Sequence, residues 1–168
     1  MNEEKLPISA IVVSYNEGEI LEGCLQSIQF CQEIIVVDME CTDNTTSIAQ
    51  KYATKIIEHE QVDLVEKVHK KLIPQTKYDW ILITDPDERI STKLSNDIKR
   101  IFDDRIGKNI ASIHVPIRYY FKGNPLRGTY WGYNKKGRLL YKRNRINISA
   151  DVHNSKHPKK GYEIKYIE

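Results

Sequence analysis

Residues 80–88 read Trp80-Ile81-Leu82-Ile83-Thr84-Asp85-Pro86-Asp87-Glu88, an apolar run that ends abruptly in carboxylates. The apolar part is typical of a buried strand in a parallel sheet. Pro86 disfavours a helical backbone at Asp85 and keeps that residue extended, as a continuation of the strand. Two carboxylates in an open site suit Mg²⁺ or Mn²⁺, whose remaining ligands would be phosphate oxygens and water. This stretch therefore predicts a site for a divalent cation and a diphosphate.

Two earlier apolar runs also end in polar residues. Residues 11–13 lead into Ser14-Tyr15-Asn16-Glu17, and the β-branched residues 34–37 lead into Asp38. An Asp-x-Asp pair alone would more simply be a polar turn, but here it follows a buried strand and Asp38 occupies a parallel location. Because the carboxyl ends of parallel strands meet at one edge of a sheet, we expect a single ligand crevice there. The residues expected around it are Asn16, Asp38, Asp85 and Asp87.

The chain alternates strand-like and helix-like segments as far as residue 121. The predicted strands are residues 8–14, 34–37, 55–58, 80–84 and 111–121, and the predicted helices lie within 17–28, 42–53, 62–72 and 91–102. Pro116 indicates a sheet edge or a bulge in the last strand. Beyond residue 121, repeated glycines predict loops and short strands. The β-α order predicts an α/β fold with an open, mostly parallel sheet and helices on both faces.

Composition favours one globular domain over residues 1–168, since 168 residues with 40% hydrophobic content can bury a core. No apolar run approaches the ~20 residues needed to span a bilayer. The acidic N-terminus lacks the basic region of a signal peptide. Three cysteines without paired spacing indicate reduced thiols and a cytoplasmic location. Neither a Gly-x-Gly-x-x-Gly motif nor a P-loop is present, so any nucleotide must be bound through carboxylates and a metal.

Charge divides the chain into two halves. Residues 1–117 contain 13 Lys or Arg and 20 Asp or Glu, whereas residues 118–168 contain 13 Lys or Arg and 3 Asp or Glu. The acidic half argues against a nucleic-acid partner. The basic half either faces phosphates, an anionic glycolipid or a membrane surface, or is simply a solvated basic surface. Within it, three arginines are candidate phosphate ligands and five aromatic residues either stack on a sugar or fill the core. These are Arg118, Arg127 and Arg138, and Tyr119, Tyr120, Tyr130, Trp131 and Tyr133.

Taken together, residues 11–17, residues 35–38 with 42–45, and residues 85–88 resemble the motifs of family 2 glycosyltransferases, which have the GT-A fold. The resemblance covers residues 6–105 and is nearest to the bacterial branch that adds glucose or a similar sugar to lipooligosaccharide cores. It implies transfer of a sugar from a nucleotide-diphosphate donor, most often a UDP-sugar, to a glycan or glycolipid acceptor. It also implies Mn²⁺ or Mg²⁺ as cofactor, inversion at the anomeric carbon, and residues 1–117 as the nucleotide-sugar half. The acceptor-side half would be 118–168, with a peripheral contact to the inner face of an anionic membrane.

The resemblance also implies roles for individual residues. Asp87 would coordinate the metal that bridges the diphosphate, and Asp85 would lie near both the ribose and the metal. The general base that deprotonates the acceptor hydroxyl would be Asp151 or His153. The residues implied to bind the nucleotide-sugar are Ser14, Tyr15, Asn16, Glu17, Asp38 and Asp85.

Three segments depart from the family pattern. Met39-Glu40-Cys41 stands where Ser-Gly-Ser is common, and residues 67–71 replace an Asn-rich or Arg-rich helix start. Val152-His153-Asn154 replaces Val-His-Glu, which leaves the identity of the base open. The alternative function is therefore a catalytically degenerate nucleotide-sugar-binding module, and hydrolysis of a donor sugar would separate the two. An Asp-x-Asp phosphatase fits less well, because its motif follows the first strand and not the fourth. A sugar nucleotidyltransferase would need a Gly-rich loop after the first strand.

Overall fold

A computed structural model describes residues 4–103, 107–126, 135–149 and 156–168. The strands are β1 (Leu6–Ser14), β2 (Cys31–Asp38), β3 (Lys55–Glu58), β4 (Trp80–Ile83), β5 (Ile110–Ile117), β6 (Tyr120–Phe121), β7 (Asn124–Pro125), β8 (Lys135–Lys142), β9 (Ile146–Ile148), β10 (Lys156–Pro158) and β11 (Glu163–Tyr166). The helices are α1 (Gly18–Ser27), α2 (Thr45–Tyr52), α3 (Val65–Leu72) and α4 (Thr92–Asp103). The strands and helices predicted before residue 104 are all present, with bounds that shift by at most three residues.

Seven strands form one sheet in the order β11-β5-β8-β4-β1-β2-β3. Strand β1 pairs in parallel with β2 and β4, β2 pairs in parallel with β3, and β5 pairs in parallel with β11. Strand β8 alone runs antiparallel to its two neighbours in this sheet, β4 and β5. The predicted mostly parallel α/β sheet is therefore confirmed, and β1, β2, β4 and β5 all point their carboxyl ends to the same edge.

Both faces of the sheet are covered by helices, as predicted. On one face, Ile8, Ala10 and Val12 of β1 pack in a cluster that includes residues of α1, α2 and α4. On the other face, Ile11 and Val13 pack with residues of α3. Full burial of a large aliphatic side chain stabilises a fold by about 1.5–3 kcal/mol. This double burial explains the continuous apolar run of β1 and fixes its register, so that the polar residues after it have defined positions.

Two expectations for the second half of the chain are met only in part. The single strand expected over residues 111–121 is divided into β5 and the short strand β6. Short strands are present beyond residue 121, as expected, but that part of the chain also contains β8, an eight-residue strand inserted between β4 and β5. Gly137 of β8 allows this close pairing, because a Cβ at that position would lie 1.9 Å from Cδ1 of Ile117. The register of β5 against β8 shifts between Ile113 and His114, just before Pro116 in the chain. This irregularity lies near the position where the proline indicated a sheet edge or a bulge.

No helix within the described parts of the chain is both long and apolar enough to cross a membrane.

Candidate functional site

The polar residues predicted to line one crevice lie at the ends of three adjacent strands. Strand β1 lies between β4 and β2. Ser14 at the end of β1 pairs with Asp38 at the end of β2, and Ile11 pairs with Ile83 at the end of β4. Asp85 follows Ile83 by two residues. The structure therefore brings Asp38 and the Asp85–Glu88 segment to the same edge of the sheet, on either side of the loop that follows β1.

Asn16 connects this loop to the loop after β2. Its backbone has φ 52°, in the left-handed region that asparagine tolerates better than most residues. Its side-chain Oδ1 accepts hydrogen bonds from the backbone N–H of Thr42 at 2.7 Å and of Asp43 at 3.3 Å. The Asp43 carboxylate in turn accepts from the N–H of Gly18 at 3.0 Å and of Thr45 at 2.9 Å. The two loops are thus joined by side-chain to backbone bonds that fix the floor of the crevice.

Glu17 holds the start of the same loop. Its Oε2 accepts hydrogen bonds from Oγ of Ser14 at 3.3 Å and from the backbone N–H of Tyr15 at 3.4 Å. These contacts bend the chain as it leaves β1 and leave the side chain of Tyr15 48% exposed. An exposed aromatic ring beside the crevice is suited to stack on a planar ligand.

Asp38 is a buried carboxylate that is arranged to remain ionised. It accepts hydrogen bonds from the N–H of Cys41 at 2.8 Å and from the hydroxyl of Thr46. Burial by itself would raise its pKa, but these two donors outweigh burial and lower the pKa below its usual value. The Sγ of Cys41 also accepts from the N–H of Asn16 at 3.3 Å. Cys41, which departs from the family pattern, therefore supports both Asp38 and the β1 loop.

Asp85 and Asp87 lie in a tight turn. The N–H of Glu88 donates to the carbonyl of Asp85 at 3.0 Å, which closes a four-residue turn with Pro86 in its second position, where its fixed φ fits. The Glu88 carboxylate folds back to accept from the hydroxyl of Thr84 at 2.9 Å and from the N–H of Asp85 at 3.2 Å. Asp87, at the third position, is exposed. The turn thus uses Glu88 for support and leaves Asp87 exposed, close enough to Asp85 for the two negative charges to interact.

Arg89 fastens this turn to α1. Its Nη1 donates to the carbonyls of Pro86 at 2.7 Å and Glu88 at 2.8 Å, and its Nη2 donates to the carbonyl of Ile20. The guanidinium passes close to Gly23, where a Cβ would lie 2.5 Å from Nε of Arg89. Nothing in the local sequence pattern indicated this role, because the partners of Arg89 include a residue 69 positions away.

We expect Arg89→Ala to loosen the turn and so to weaken metal-dependent ligand binding. A loss of about 1 kcal/mol lowers the melting temperature of a chain of this size by about 2–4 °C. The affinity for UDP in Mn²⁺, measured by calorimetry, should fall about tenfold, while the affinity in chelator stays unchanged. Arg100→Ala is the matched control, since Arg100 is an exposed arginine of α4 whose partner is Asp97. A lowered melting temperature with unchanged Mn²⁺-dependent affinity would assign Arg89 to stability alone.

Asp85 sits among like charges. Although the residue is exposed at the crevice, its pKa is raised to about 6, first because surrounding protein atoms reduce its solvation. The negative charges of Glu88, Asp87 and Glu17 raise it further, and the ammonium of Lys156 opposes them. Carboxylates that repel one another in this way fit a divalent cation, which prefers oxygen ligands and would neutralise them. Among the described residues no three His, Cys, Asp or Glu side chains are grouped so that they could hold a metal ion by themselves.

Lys156 is a further charged residue of the crevice, where it interacts with Asp85, and no sequence motif indicates it. It is only 7% exposed, and burial lowers its pKa while the negative charges of Glu66 and Asp85 raise it. Its carbonyl accepts a hydrogen bond from Nη1 of Arg138 at 3.2 Å. Arg138 lies near the start of β8, which runs antiparallel to β4 and so begins at the crevice edge of the sheet. In the sequence, the basic segment 156–160 looks like a solvated loop. Lys156 is buried only because of contacts with distant parts of the chain, which the sequence does not display.

His69 also faces this region from α3. Burial, together with the positive charge of Lys156, lowers its pKa to about 3, so it is neutral near pH 7. Residues 67–71, which replace the Asn-rich or Arg-rich helix start of the family, therefore contribute a neutral buried imidazole at this position. The two candidates for the general base, Asp151 and His153, lie outside the described residues, as do Asn154, Arg127 and the aromatic residues 130, 131 and 133.

This combination of a mostly parallel sheet, one antiparallel strand beside β4 and carboxylates after three adjacent strands defines a GT-A domain. Residues 9–157 match the family described as Glycosyl transferase family 2. The chain therefore belongs to glycosyltransferase family 2, and the resemblance found in its motifs is confirmed.

Two curated relatives illustrate the membership. An uncharacterized glycosyltransferase of Rickettsia bellii (strain RML369-C) is 30% identical over 139 residues, which are 81% of this chain and 46% of that protein. The lipopolysaccharide core biosynthesis glycosyltransferase LpsC of Rhizobium meliloti (strain 1021) is 42% identical over 48 residues, 29% of this chain and 18% of that protein. The chain spans about half the length of the rickettsial relatives it matches.

A solved structure supports the fold. Glucosyl-3-phosphoglycerate synthase from Mycobacterium tuberculosis, in complex with Mn²⁺, UDP and glucosyl-3-phosphoglycerate, superposes with a TM-score of 0.55 at 14% identity. The superposition covers 84% of this chain and 58% of that one. At this identity the likeness concerns the fold alone, and it confirms the GT-A architecture.

Proposed function

We propose that this chain transfers a sugar, most simply a hexose, from a UDP-sugar to a glycan or glycolipid acceptor with inversion at the anomeric carbon. The observation that carries the proposal is the convergence of Asp38, Asp85 and Asp87 at one edge of the sheet of a family 2 domain. The Mn²⁺ and UDP bound by the mycobacterial synthase support a divalent cation and a uridine nucleotide. The lipopolysaccharide core transferase among the relatives supports a lipid-linked core saccharide as acceptor.

The nucleoside would lie between the loops after β1 and β2. Asp38, ionised and held by Cys41 and Thr46, can accept hydrogen bonds from a base N–H or a ribose hydroxyl. Tyr15 offers an exposed ring for stacking on the base. Ser14, Asn16 and Glu17 shape this wall through the loop contacts described above. The nucleoside is thereby positioned by groups whose geometry exists before the ligand arrives.

The diphosphate would lie next to the turn after β4. Asp87, with Asp85 behind it, would hold a Mn²⁺ or Mg²⁺ ion. Such an ion acts as a Lewis acid that stabilises the charge gathering on the departing nucleoside diphosphate. The protein's own part is to present Asp87 at a rigid turn, through Pro86 and Arg89, and to keep Asp85 beside it. Lys156 adds a fixed positive charge on the same side.

The acceptor would approach from residues 118–168, whose basic character suits an anionic glycolipid at the cytoplasmic face of a membrane. An acceptor hydroxyl needs a base to remove its proton, and we assign this role to His153 or Asp151. The replacement of the family Glu by Asn154 favours a second candidate, a nucleotide-sugar-binding module without transferase activity. Slow release of free sugar from a UDP-hexose in Mn²⁺ would exclude that second candidate.

A thermal-shift panel of nucleoside diphosphates, with Mn²⁺ and with chelator, tests the proposal. Ligands that bind the native state raise the melting temperature by mass action. At a ligand concentration 100 times the dissociation constant, the free energy of unfolding rises by about 2.7 kcal/mol. We expect UDP with Mn²⁺ to give the largest shift, and GDP, ADP or UDP in chelator to give little. Equal shifts for all the diphosphates, or no shift with any of them, would contradict a UDP-sugar site.

A further inference from the structure

The β6–β7 hairpin projects from the crevice edge of the sheet. Tyr120 pairs with Pro125 and Phe121 with Asn124, and the N–H of Leu126 donates to the carbonyl of Tyr119 at 2.9 Å to close the base. Lys122 and Gly123 form the turn with φ of 48° and 77°, both left-handed, as a tight two-residue hairpin requires. A Cβ on Gly123 would meet no atom within 4 Å, so the tip stands in open space.

The hairpin carries exposed aromatic side chains. Tyr120 is 58% exposed and Phe121 is 64% exposed, the two highest values among the large hydrophobic side chains that the structure describes. Apolar surface of this kind is unfavourable in water, and adjacent exposed rings at the tip of a hairpin indicate contact with something less polar. Tyrosine is enriched at the headgroup level of membranes, and phenylalanine is common on the apolar side of segments that lie in the membrane interface.

The stretch of chain that carries the hairpin is basic, although two acidic residues, Asp97 and Glu168, line a pocket together with Tyr120. Residues 107–149 contain ten Lys or Arg and no Asp or Glu. Lys122 Nζ lies 5.7 Å from the centre of the Phe121 ring, at the tip itself. In the β5–β8 ladder, Lys136 pairs with Pro116 and Lys135 pairs with Ile117, which brings both lysines to the end of β5 from which the hairpin departs. Basic residues around exposed aromatic rings match an anionic surface with an apolar interior.

We infer that the β6–β7 hairpin is a membrane anchor that inserts Tyr120 and Phe121 among the headgroups of an anionic bilayer. Strand β5 runs in the same direction as β1, β2 and β4, so the hairpin leaves the sheet at the edge where Asp38 and Asp87 lie. Docking through this hairpin therefore turns the crevice toward the bilayer. The inference rests on the proposed function, because a lipid-linked acceptor in the bilayer would then face the crevice. Binding of the hairpin to a bilayer requires neither the sugar donor nor the acceptor.

The test is co-sedimentation of the full chain with vesicles of phosphatidylcholine alone, or with one quarter phosphatidylglycerol. We expect binding to the anionic vesicles that weakens steeply with added salt, and little binding to the neutral ones. Tyr120→Ala/Phe121→Ala should lower the partition coefficient at least tenfold, and Lys122→Glu should lower it severalfold. Tyr162→Ala is the matched control, since Tyr162 is 38% exposed but precedes β11 at the opposite edge of the sheet, and it should bind as the wild type does.

Three results would contradict the membrane-anchor inference. The double variant could bind anionic vesicles as strongly as the wild type does, the wild type could bind neutral and anionic vesicles equally, or it could bind no vesicles at all. In the last case, self-association in sedimentation velocity that the double variant abolishes would assign the hairpin to a second copy of the chain. UDP affinity in Mn²⁺ is measured on the same samples and should be equal in wild type and double variant. If vesicle binding fails while UDP binding holds, the anchor is wrong and the proposed function stands.

Discussion

Asp87→Ala is expected to abolish sugar transfer while leaving the fold intact. Asp87 is exposed at the third position of the turn after β4, and exposed substitutions of this kind usually change stability by no more than about 0.5 kcal/mol. Loss of the carboxylate removes a ligand of the cation that stabilises the departing diphosphate. A contribution of about 4 kcal/mol corresponds to about a thousandfold in rate. We expect kcat/KM to fall by at least that factor, with an unchanged melting temperature in the absence of ligand.

Calorimetric titration of UDP, in Mn²⁺ and in chelator, separates this effect from general damage. Without a cation, a diphosphate in the crevice meets the unneutralised carboxylates of Asp38, Asp85 and Asp87, and binding should be weak. With the cation present, the carboxylate–metal–phosphate bridge reverses the sign of that interaction. Asp103→Ala, an exposed carboxylate at the far end of α4, is the control and should behave as the wild type. If Asp87→Ala keeps the full Mn²⁺ enhancement, the metal assignment is wrong.

Much of the fold was predictable because its signals are local. Strand β1 is apolar without interruption from Ala10 to Val13 because helices cover both of its faces, and the sequence displays that run directly. The carboxylates at the strand ends were predictable for the same reason, since each immediately follows such a run. The parallel order of the strands then brings Asp38 and Asp85 together without any further information from the sequence.

The parts that could not be predicted depend on contacts between distant segments. Strand β8 pairs with β4, about 60 residues earlier in the chain. Lysines at both ends of β8 make the segment look solvated, although Leu140 within it is fully buried. Arg89 supports the turn by reaching back to Ile20 in α1. The raised pKa of Asp85 arises from reduced solvation by surrounding protein atoms and from charges on several segments, Glu88 and Glu17 among them. Each of these contacts joins residues that are far apart in the chain, so no periodic pattern in the sequence indicates it.

Cys41 illustrates how a departure from a family pattern can be misread. In the sequence, Met39-Glu40-Cys41 looks like the loss of a small polar segment after the nucleoside-binding aspartate. In the structure, the N–H of Cys41 donates to Asp38, while its Sγ accepts from the N–H of Asn16 and donates to the carbonyl of Ser14, so Cys41 still joins the loops after β1 and β2. Glu40 adopts φ 56°, a left-handed conformation that a glycine would adopt without strain.

Asp38→Ala is expected to weaken nucleoside binding by the same factor with and without metal. A hydrogen bond to a charged group contributes about 1.5–3 kcal/mol, which is about 10-fold to 150-fold in the dissociation constant. Because Asp38 contacts the nucleoside end and Asp87 the diphosphate end, the ratio of UDP affinities in Mn²⁺ and in chelator should stay constant in Asp38→Ala and collapse in Asp87→Ala. Uridine, which has no phosphate, should lose affinity only in Asp38→Ala.

Two further variants show whether Asp38 touches the ligand or only supports the loop. Thr46→Val removes the hydroxyl that donates to Asp38, which leaves the carboxylate in place with one supporting bond fewer. We expect this variant to lose only severalfold in uridine affinity, measured by competition with UDP. Asp38→Asn keeps the shape and removes the charge, and it should resemble Asp38→Ala. If Thr46→Val loses as much uridine affinity as Asp38→Ala, or if Asp38→Asn binds uridine as the wild type does, the charge on Asp38 is not a nucleoside ligand.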